Sequence, residues 1–456
     1  MQKLFKQILT SKVYQAAIET PLEESAFLSQ LLHNRVLLKR EDLQPVFSFK
    51  IRGAYNRIAH LSDAERAAGI ITASAGNHAQ GGAFSGQKVA MDTTIVMPVT
   101  TPAIKVAAVK SFGAKVVLFG DSYSEAAEHC AHLVSQSGMV FIPPFDDELV
   151  IAGQGTVADE LLRQSAGRID AVFVPVGGGG LLAGIAVFLK ELCPHVKVIG
   201  VEPVDSDAMA RSLAAGHRVK LDSVGIFADG VAVREVGKLT FDICSRHVDE
   251  IILVDVDEIC SAVKSVYQAT RSIVEPSGAL ATAGLKKYVR ERGVTGQSLV
   301  AINSGANMNF DRLRYVAERT MIGEKQEALF AVTIPEEPGS LFRFCREVVG
   351  DRNITEFNYR LSGRESAYIF VGVAIDGDEK RQAFHEQLTA HGFENIDLTD
   401  NELAKTHVRY MVGGRSGDVN GERLFRFWFP ERPGALARFL ASMGADWNIS
   451  LFHYRI

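Results

Sequence analysis

Ala171-Val-Phe-Val-Pro-Val-Gly-Gly-Gly-Gly-Leu-Leu-Ala-Gly-Ile-Ala-Val-Phe-Leu189 carries no charge and approaches the length of a membrane span. Pro175 and four consecutive glycines in its middle argue against a spanning helix, since a bilayer cannot satisfy the backbone groups they free. The stretch reads instead as a buried strand, a glycine turn and a helix. A strand apolar on both faces belongs to a parallel sheet covered by helices on each side. The same grammar surrounds it: strands at Gly69–Ser74, Thr93–Met97, Lys115–Phe119, Met139–Ile142 and Lys197–Glu202 alternate with amphipathic stretches of helical length. The fold class is therefore α/β, with residues 1–310 forming one catalytic domain of two subdomains and a cleft between them.

At 456 residues the chain exceeds one ordinary core, and two or three domains are expected. A net charge of −5, with no basic run or basic-aromatic interleaving, argues against a nucleic-acid partner and leaves a small anionic ligand compatible. Cys130, Cys193, Cys244, Cys260 and Cys345 are odd in number and never spaced as CxxC. Neither a disulfide framework nor a metal site is indicated, and a reducing, cytoplasmic setting fits. Residues 1–20 lack the apolar core of a secretory signal, and no membrane association is expected.

After a polar connector helix, residues 311–327, the pattern changes to strand, helix, strand, strand, helix, strand over 328–410, a ferredoxin-like α+β order. Ile334-Pro-Glu-Glu-Pro-Gly-Ser-Leu-Phe-Arg-Phe-Cys345 recurs as Phe429-Pro-Glu-Arg-Pro-Gly-Ala-Leu-Ala-Arg-Phe-Leu440, and Asn353-Ile-Thr-Glu-Phe-Asn-Tyr-Arg360 as Asn448-Ile-Ser-Leu-Phe-His-Tyr-Arg455. Pro338 and Pro433 open helices and Gly339 and Gly434 follow them in tight turns. The second copy, 422–456, stops where its second strand would finish, so it is expected to be incomplete, with open edges and too small a core to stand alone.

Four motifs carry chemistry. In Ser48-Phe-Lys-Ile-Arg-Gly-Ala54, Pro45 and an N-cap at Ser48 open a helix whose first turn holds Lys50. A cation there faces the positive end of the helix dipole, which favours the neutral amine that imine formation needs; the plainer reading is a solvated helix lysine. Ser74-Ala-Gly-Asn-His-Ala-Gln-Gly81 turns from a strand into a helix, offering amides and a hydroxyl to a carboxylate and Asn77 as a neutral donor, or serving only as a capped turn with His78 on the surface. Gly177-Gly-Gly-Gly-Leu181 lets consecutive amides converge on a phosphate. A dinucleotide site is the rival, since Gly178, Gly180 and Ala183 fit G-x-G-x-x-A and Glu202 follows about twenty residues on. Ser304 ends a buried strand where its hydroxyl can meet a pyridine nitrogen or cap a helix, and Gly230 permits close approach to a flat ring.

Together, S-F-K-x-R-G-A, S-A-G-N-H-A-Q-G, the tetraglycine loop and Ser304-Gly-Ala-Asn307 resemble the biosynthetic threonine dehydratase (threonine deaminase) family of fold-type II pyridoxal phosphate enzymes. The resemblance spans nearly the whole chain, since that family also carries two C-terminal ACT-like regulatory units. It implies pyridoxal 5'-phosphate as cofactor, Lys50 as its Schiff-base lysine, and cofactor contacts from Phe49, Asn77, Gly177, Gly178, Gly179, Gly180, Leu181, Gly230 and Ser304. Ser74, Ala75, Gly76, Asn77 and His78 would hold the substrate carboxylate. It also implies conversion of threonine to 2-oxobutanoate and ammonia, isoleucine inhibition opposed by valine, and a homotetramer. The incomplete second copy leads one to expect a weakened isoleucine response unless the half unit completes a sheet with the first. Serine or catabolic threonine dehydratases share the catalytic motifs and are the nearest alternative. An oxidoreductase built on the glycine loop and an inactive amino-acid-binding regulator are more remote.

Overall fold

The computed structural model describes residues 2–165, 167–310, 312–323, 327–337, 339–360, 366–401, 427, 435–443, 449 and 451–455. They divide into two compact units, Met1–Ala317 and Glu318–Ile456. In the first, the apolar runs form strands β1 (Leu22–Glu24), β2 (Arg35–Arg40), β3 (Ile70–Ala73), β4 (Thr93–Met97), β5 (Lys115–Leu118), β6 (Val140–Phe141), β7 (Ala171–Pro175), β8 (Lys197–Pro203), β9 (Glu250–Val254) and β10 (Ser298–Asn303). One sheet runs β1-β2-β10-β7-β8-β9, parallel except for β1, and a smaller parallel sheet runs β5-β4-β3-β6.

Side-chain alternation explains why β7 and β10 are continuously apolar. Val172, Val174, Val300 and Ile302 pack with helices Glu148–Gln164 and Gly180–Leu192, whereas Phe173, Leu299 and Ala301 pack with helices Val256–Thr270 and Pro276–Arg292. Each such side chain fully buried contributes about 1.5–3 kcal/mol, which commits the strands to the centre of the sheet. The 171–189 stretch accordingly resolves into strand, turn and helix, with Gly179 at φ +94° in the left-handed region that a β-carbon disfavours. Among the described residues no helix is long and apolar enough to cross a membrane, and no cluster of His, Cys, Asp and Glu is placed to hold a metal ion. None of the five cysteines forms a disulfide.

Beneath helix Lys50–Ala59 lies a cluster of charges with no access to solvent. Arg52 donates to both oxygens of Glu41 at 2.7 Å and to Glu160 at 2.5 and 2.9 Å, while Lys39 donates to Glu160 at 2.6 Å. Thr156 Oγ1 accepts the remaining guanidinium hydrogen, the Ile18 carbonyl shares an Nη2 hydrogen at 3.3 Å, and Thr20 Oγ1 donates to Glu41 at 2.5 Å. Two cations and two carboxylates cancel, so the cluster tolerates burial only as a complete set.

In the second unit, β11 (Glu327–Pro335), helix Ser340–Phe344 widening into a π turn at Cys345–Val349, β12 (Ile354–Arg360), β13 (Ser366–Ala374), helix Asp378–Ala390 and β14 (Asn395–Asp397) reproduce the expected order. β15 (Leu451–Arg455), from the second copy of the repeat, pairs antiparallel with β12 and gives a sheet ordered β14-β11-β13-β12-β15. From helix Ala435–Met443, Leu440 enters the same core as Phe344, Phe357 and Leu388. Among the described residues, the second copy thus extends the first copy's sheet. Pro338, Pro433 and Gly434 lie outside the described residues, as do 402–426.

Replacing Arg52 with methionine strands Glu41 as a buried, uncompensated charge and leaves Glu160 to Lys39 alone. The expected loss is about 3–5 kcal/mol, read as a lowered midpoint in denaturant unfolding; a midpoint matching the wild type would contradict the cluster's role.

Candidate active site

Parallel strands present their C-terminal ends at one edge, and β2, β3, β7 and β10 deliver the four motifs there. β2 and β10 are in register to Arg40 opposite Asn303, which brings the loops that follow them together. Ser48 forms a backbone bridge with Gly305, and the Phe49 amide donates to the Ser304 carbonyl at 3.2 Å. The helix then begins at Lys50 with Phe49, not Ser48, at the cap position; the Ser48 hydroxyl makes no capping bond and is buried without a partner. The backbone bridge occupies the geometry an N-cap at Ser48 would have needed.

Lys50 Nζ donates to the Pro144 carbonyl at 3.0 Å and lies 5.4 Å from the Phe49 ring centre. Burial drives its pKa down to about 8, partly opposed by the charge of Glu275. The next residue, Phe145, packs on the tetraglycine loop: a β-carbon at Gly178 would lie 2.2 Å from its ring. One at Gly177 would lie 3.0 Å from Val231 Cα, and one at Gly230 2.7 Å from Ser277 Oγ. Ser304 Oγ in turn donates to the Ser277 carbonyl at 3.3 Å. These contacts close a ring from Lys50 through the glycine loop and Gly230 to Ser304 and back.

The amides of Gly177, Gly178 and Gly179 donate to no acceptor among the described residues, and Gly180 and Leu181 begin a helix whose positive end faces the loop. On the other side, Ser74 Oγ accepts from the Gly76 amide at 3.2 Å, Ala75 sits between them half-exposed, and Asn77 opens helix Asn77–Lys88. A β-carbon at Gly81 on that helix would lie 3.2 Å from the Lys50 carbonyl, so the two motifs are in contact. His78 is buried rather than on the surface; its Nε2 lies 2.9 Å from the Ile142 carbonyl, and burial, with Lys50 adding, lowers its pKa to about 3 and keeps it neutral.

Glu202, which a dinucleotide site would need free, is fully buried and accepts from the Met209 and Ala210 amides at 2.9 and 2.8 Å, capping helix Ala208–Ala215. The sequence reading missed Glu275, Ser277, Phe145 and Asn307. Glu275-Pro-Ser-Gly278 carries a local signal, a proline at the first helical position after an acidic residue, but that signal specifies a helix start and nothing more.

A family model described as pyridoxal-phosphate dependent enzyme matches residues 13–305, and one described as the C-terminal regulatory domain of threonine dehydratase matches 318–408 and 413–456. The biosynthetic L-threonine dehydratase of Burkholderia multivorans is 57% identical over 453 residues, covering 99% of this chain and 89% of that protein. The chain belongs to the biosynthetic threonine dehydratases. The Escherichia coli biosynthetic L-threonine dehydratase is 52% identical over 451 residues, covering 99% of this chain and 87% of its own length. Among solved structures, the processed form of threonine deaminase isoform 2 from Solanum lycopersicum superposes with a TM-score of 0.68 at 50% identity, over 70% of this chain and 87% of that one. Maize serine racemase follows the same catalytic fold at 31% identity and a TM-score of 0.64, over 70% of this chain and 97% of that one.

Pyridoxal phosphate is the cofactor of this family, and the donor set suits it. Unpaired amides at a helix start match a phosphate, a desolvated lysine matches an aldehyde, and the buried, unpartnered hydroxyls of Ser48 and Ser277 mark polar space at the centre. Because only the neutral amine attacks an aldehyde, reconstitution of the cofactor-free protein should quicken about tenfold per pH unit up to about pH 8 and level off above it. Stopped-flow absorbance would show this. A rate still rising toward pH 10.5, the ordinary lysine value, would contradict the desolvated lysine.

Proposed function

We propose that this chain converts L-threonine to 2-oxobutanoate and ammonia, the first step of isoleucine biosynthesis, with Lys50 as the residue that holds the cofactor covalently. The observation that carries this reading is the desolvated Lys50 amine, hydrogen-bonded only to the Pro144 carbonyl among the described residues, on the same ring of contacts as the unpaired glycine-loop amides. Bound pyridoxal phosphate supplies the electron sink that acidifies the α-hydrogen of an amino acid and lets a β-hydroxyl leave.

The chain's own residues bind, orient and move protons. The amides of Gly177, Gly178, Gly179, Gly180 and Leu181 would hold the phosphate, Phe49 and Gly230 would flank the ring, and Asn77 Nδ2 would donate to the ring oxygen. Ser304 Oγ would face the ring nitrogen, and a hydroxyl, unlike a carboxylate, does not favour protonating it, which would restrain the sink and favour elimination over side reactions. Ser74, Ala75, Gly76, Asn77 and His78 receive the substrate carboxylate, with the neutral imidazole avoiding a second fixed charge. Lys50 Nζ, held neutral through burial, would take the α-proton.

The second unit is read as an amino-acid sensor in which isoleucine inhibits and valine opposes. Coupling requires that isoleucine bind one of two states more tightly. The five-stranded sheet formed by both copies of the repeat supports a responsive unit. A homotetramer in the cytoplasm is the assembly and setting proposed; exposed Leu43, Phe47 and Tyr267 offer apolar surface for subunit contact, and five cysteines outside any disulfide suit a reducing compartment.

Lys50→Ala should lose turnover and the visible absorption of the lysine-bound cofactor together, and retention of either in the purified variant would overturn the assignment. Threonine turnover should fall cooperatively as isoleucine is titrated in and recover on adding valine. Activity indifferent to both amino acids would remove the sensor reading while leaving the catalytic one intact.

A further inference from the structure

Glu275 stands at the N-cap position of helix Pro276–Arg292, yet its side chain caps nothing and turns inward, 3% exposed. Its Oε1 accepts from Asn77 Nδ2 at 2.5 Å, while Asn307 Nδ2 donates to Asn77 Oδ1 at 2.6 Å. The two ends of a carboxamide have nearly the same shape, so partners must decide which way it points. A carboxylate on one side requires the donor end there, and the Asn307 amide on the other requires the acceptor. One hydrogen of Asn77 Nδ2 is left over for a ligand.

The surrounding backbone makes room for this carboxylate. The Glu275 amide donates to the Gly305 carbonyl at 3.1 Å, and a β-carbon at Gly305 would lie 2.6 Å from Glu275 Oε1 and 3.3 Å from Asn77 Nδ2. One at Gly230 would lie 3.5 Å from the same oxygen. Two of the predicted site loops thus approach Glu275 at glycines, and Lys50 feels its charge.

We propose that Glu275 is a positioning residue for this reaction: its carboxylate locks the Asn77 amide with a donor hydrogen toward the cofactor's ring oxygen and sets the charge that faces Lys50. The inference rests on the roles given above to Lys50 and Asn77. The groups that bear on it are Asn77, Lys50, Asp229 on the turn Asp229–Val231, Lys105 on helix Ala103–Ser111, paired with Asp229 at 2.7 Å, and Arg312, 3.8 Å from Asp229. Burial first, then the charge of Asp229, raises the Glu275 pKa to about 7, against the hydrogen bond from Asn77 and the charges of Lys105 and Arg312. The carboxyl group therefore changes charge in the neutral range.

The test uses purified holoenzyme, following the bound cofactor's absorption between about pH 5 and 9 and measuring its dissociation constant. The wild type should show a spectral transition near pH 7. Glu275→Gln should abolish it while holding the cofactor within about threefold of wild type, since a glutamine oxygen still accepts from Asn77. Glu275→Ala, which leaves the Asn77 amide unheld, should weaken binding at least about tenfold. Asp229→Asn, at a partly exposed site that tolerates change, should move the transition to lower pH, because it removes a repelling charge and frees Lys105 and Arg312. A transition that survives Glu275→Gln, a midpoint unmoved by Asp229→Asn, or wild-type affinity in Glu275→Ala each overturns the proposal. Should Lys50→Ala keep the cofactor absorption, the underlying assignment fails instead; with that control passed, an unchanged Glu275→Gln variant sinks this inference alone.

Discussion

The parallel pairing of β2 with β10 is the constraint on which the catalytic unit depends. It joins two strands from opposite ends of that unit, and its register sets Arg40 against Asn303. Two close approaches in the site follow from it: Ser48 meets Gly305, and Phe49 meets Ser304. A register slip of one residue would turn the buried face of either strand to the wrong side. The alternating burial of Leu299, Val300, Ala301 and Ile302 in opposite cores forbids that slip.

Two cations two residues apart on one helix show how the fold distributes charge. Arg52 has both carboxylates and neutral acceptors on all sides and is held charged more firmly than a free guanidinium. Lys50 has a backbone carbonyl and a more distant carboxylate, so burial wins and its pKa falls. The first arrangement anchors the helix; the second leaves its opening residue reactive. Both are bought with burial, and the difference lies in how many opposite charges the neighbouring elements supply.

The regulatory unit gives a parallel lesson about repeats. Gapless recurrence of Asn353–Arg360 at 448–455 identified two copies of one motif, and the βαββαβ order of the first was legible from its patterning alone. What became of the second copy was not, because a strand's partner is chosen by whichever sheet edge is open. β12 offered that edge, and β15 took it. The N-cap at Ser48 failed for a related reason: local capping preference lost to a backbone bridge formed with a residue distant in sequence.

By itself the sequence determined the α/β alternation, the glycine loop as a strand-to-helix turn, the repeat, and four motifs whose residue types suit an aldehyde cofactor with a phosphate. These are local properties, set by periodicity, by glycine's freedom at positions such as Gly179 and by the spacing of polar groups. Only the tertiary structure decided that the motifs converge, that His78 is buried and neutral, that Glu202 caps a helix, and that Glu275 faces Asn77. Each of those depends on which elements pack against the residue, and burial and electrostatic partners arise from contacts between segments far apart in the chain.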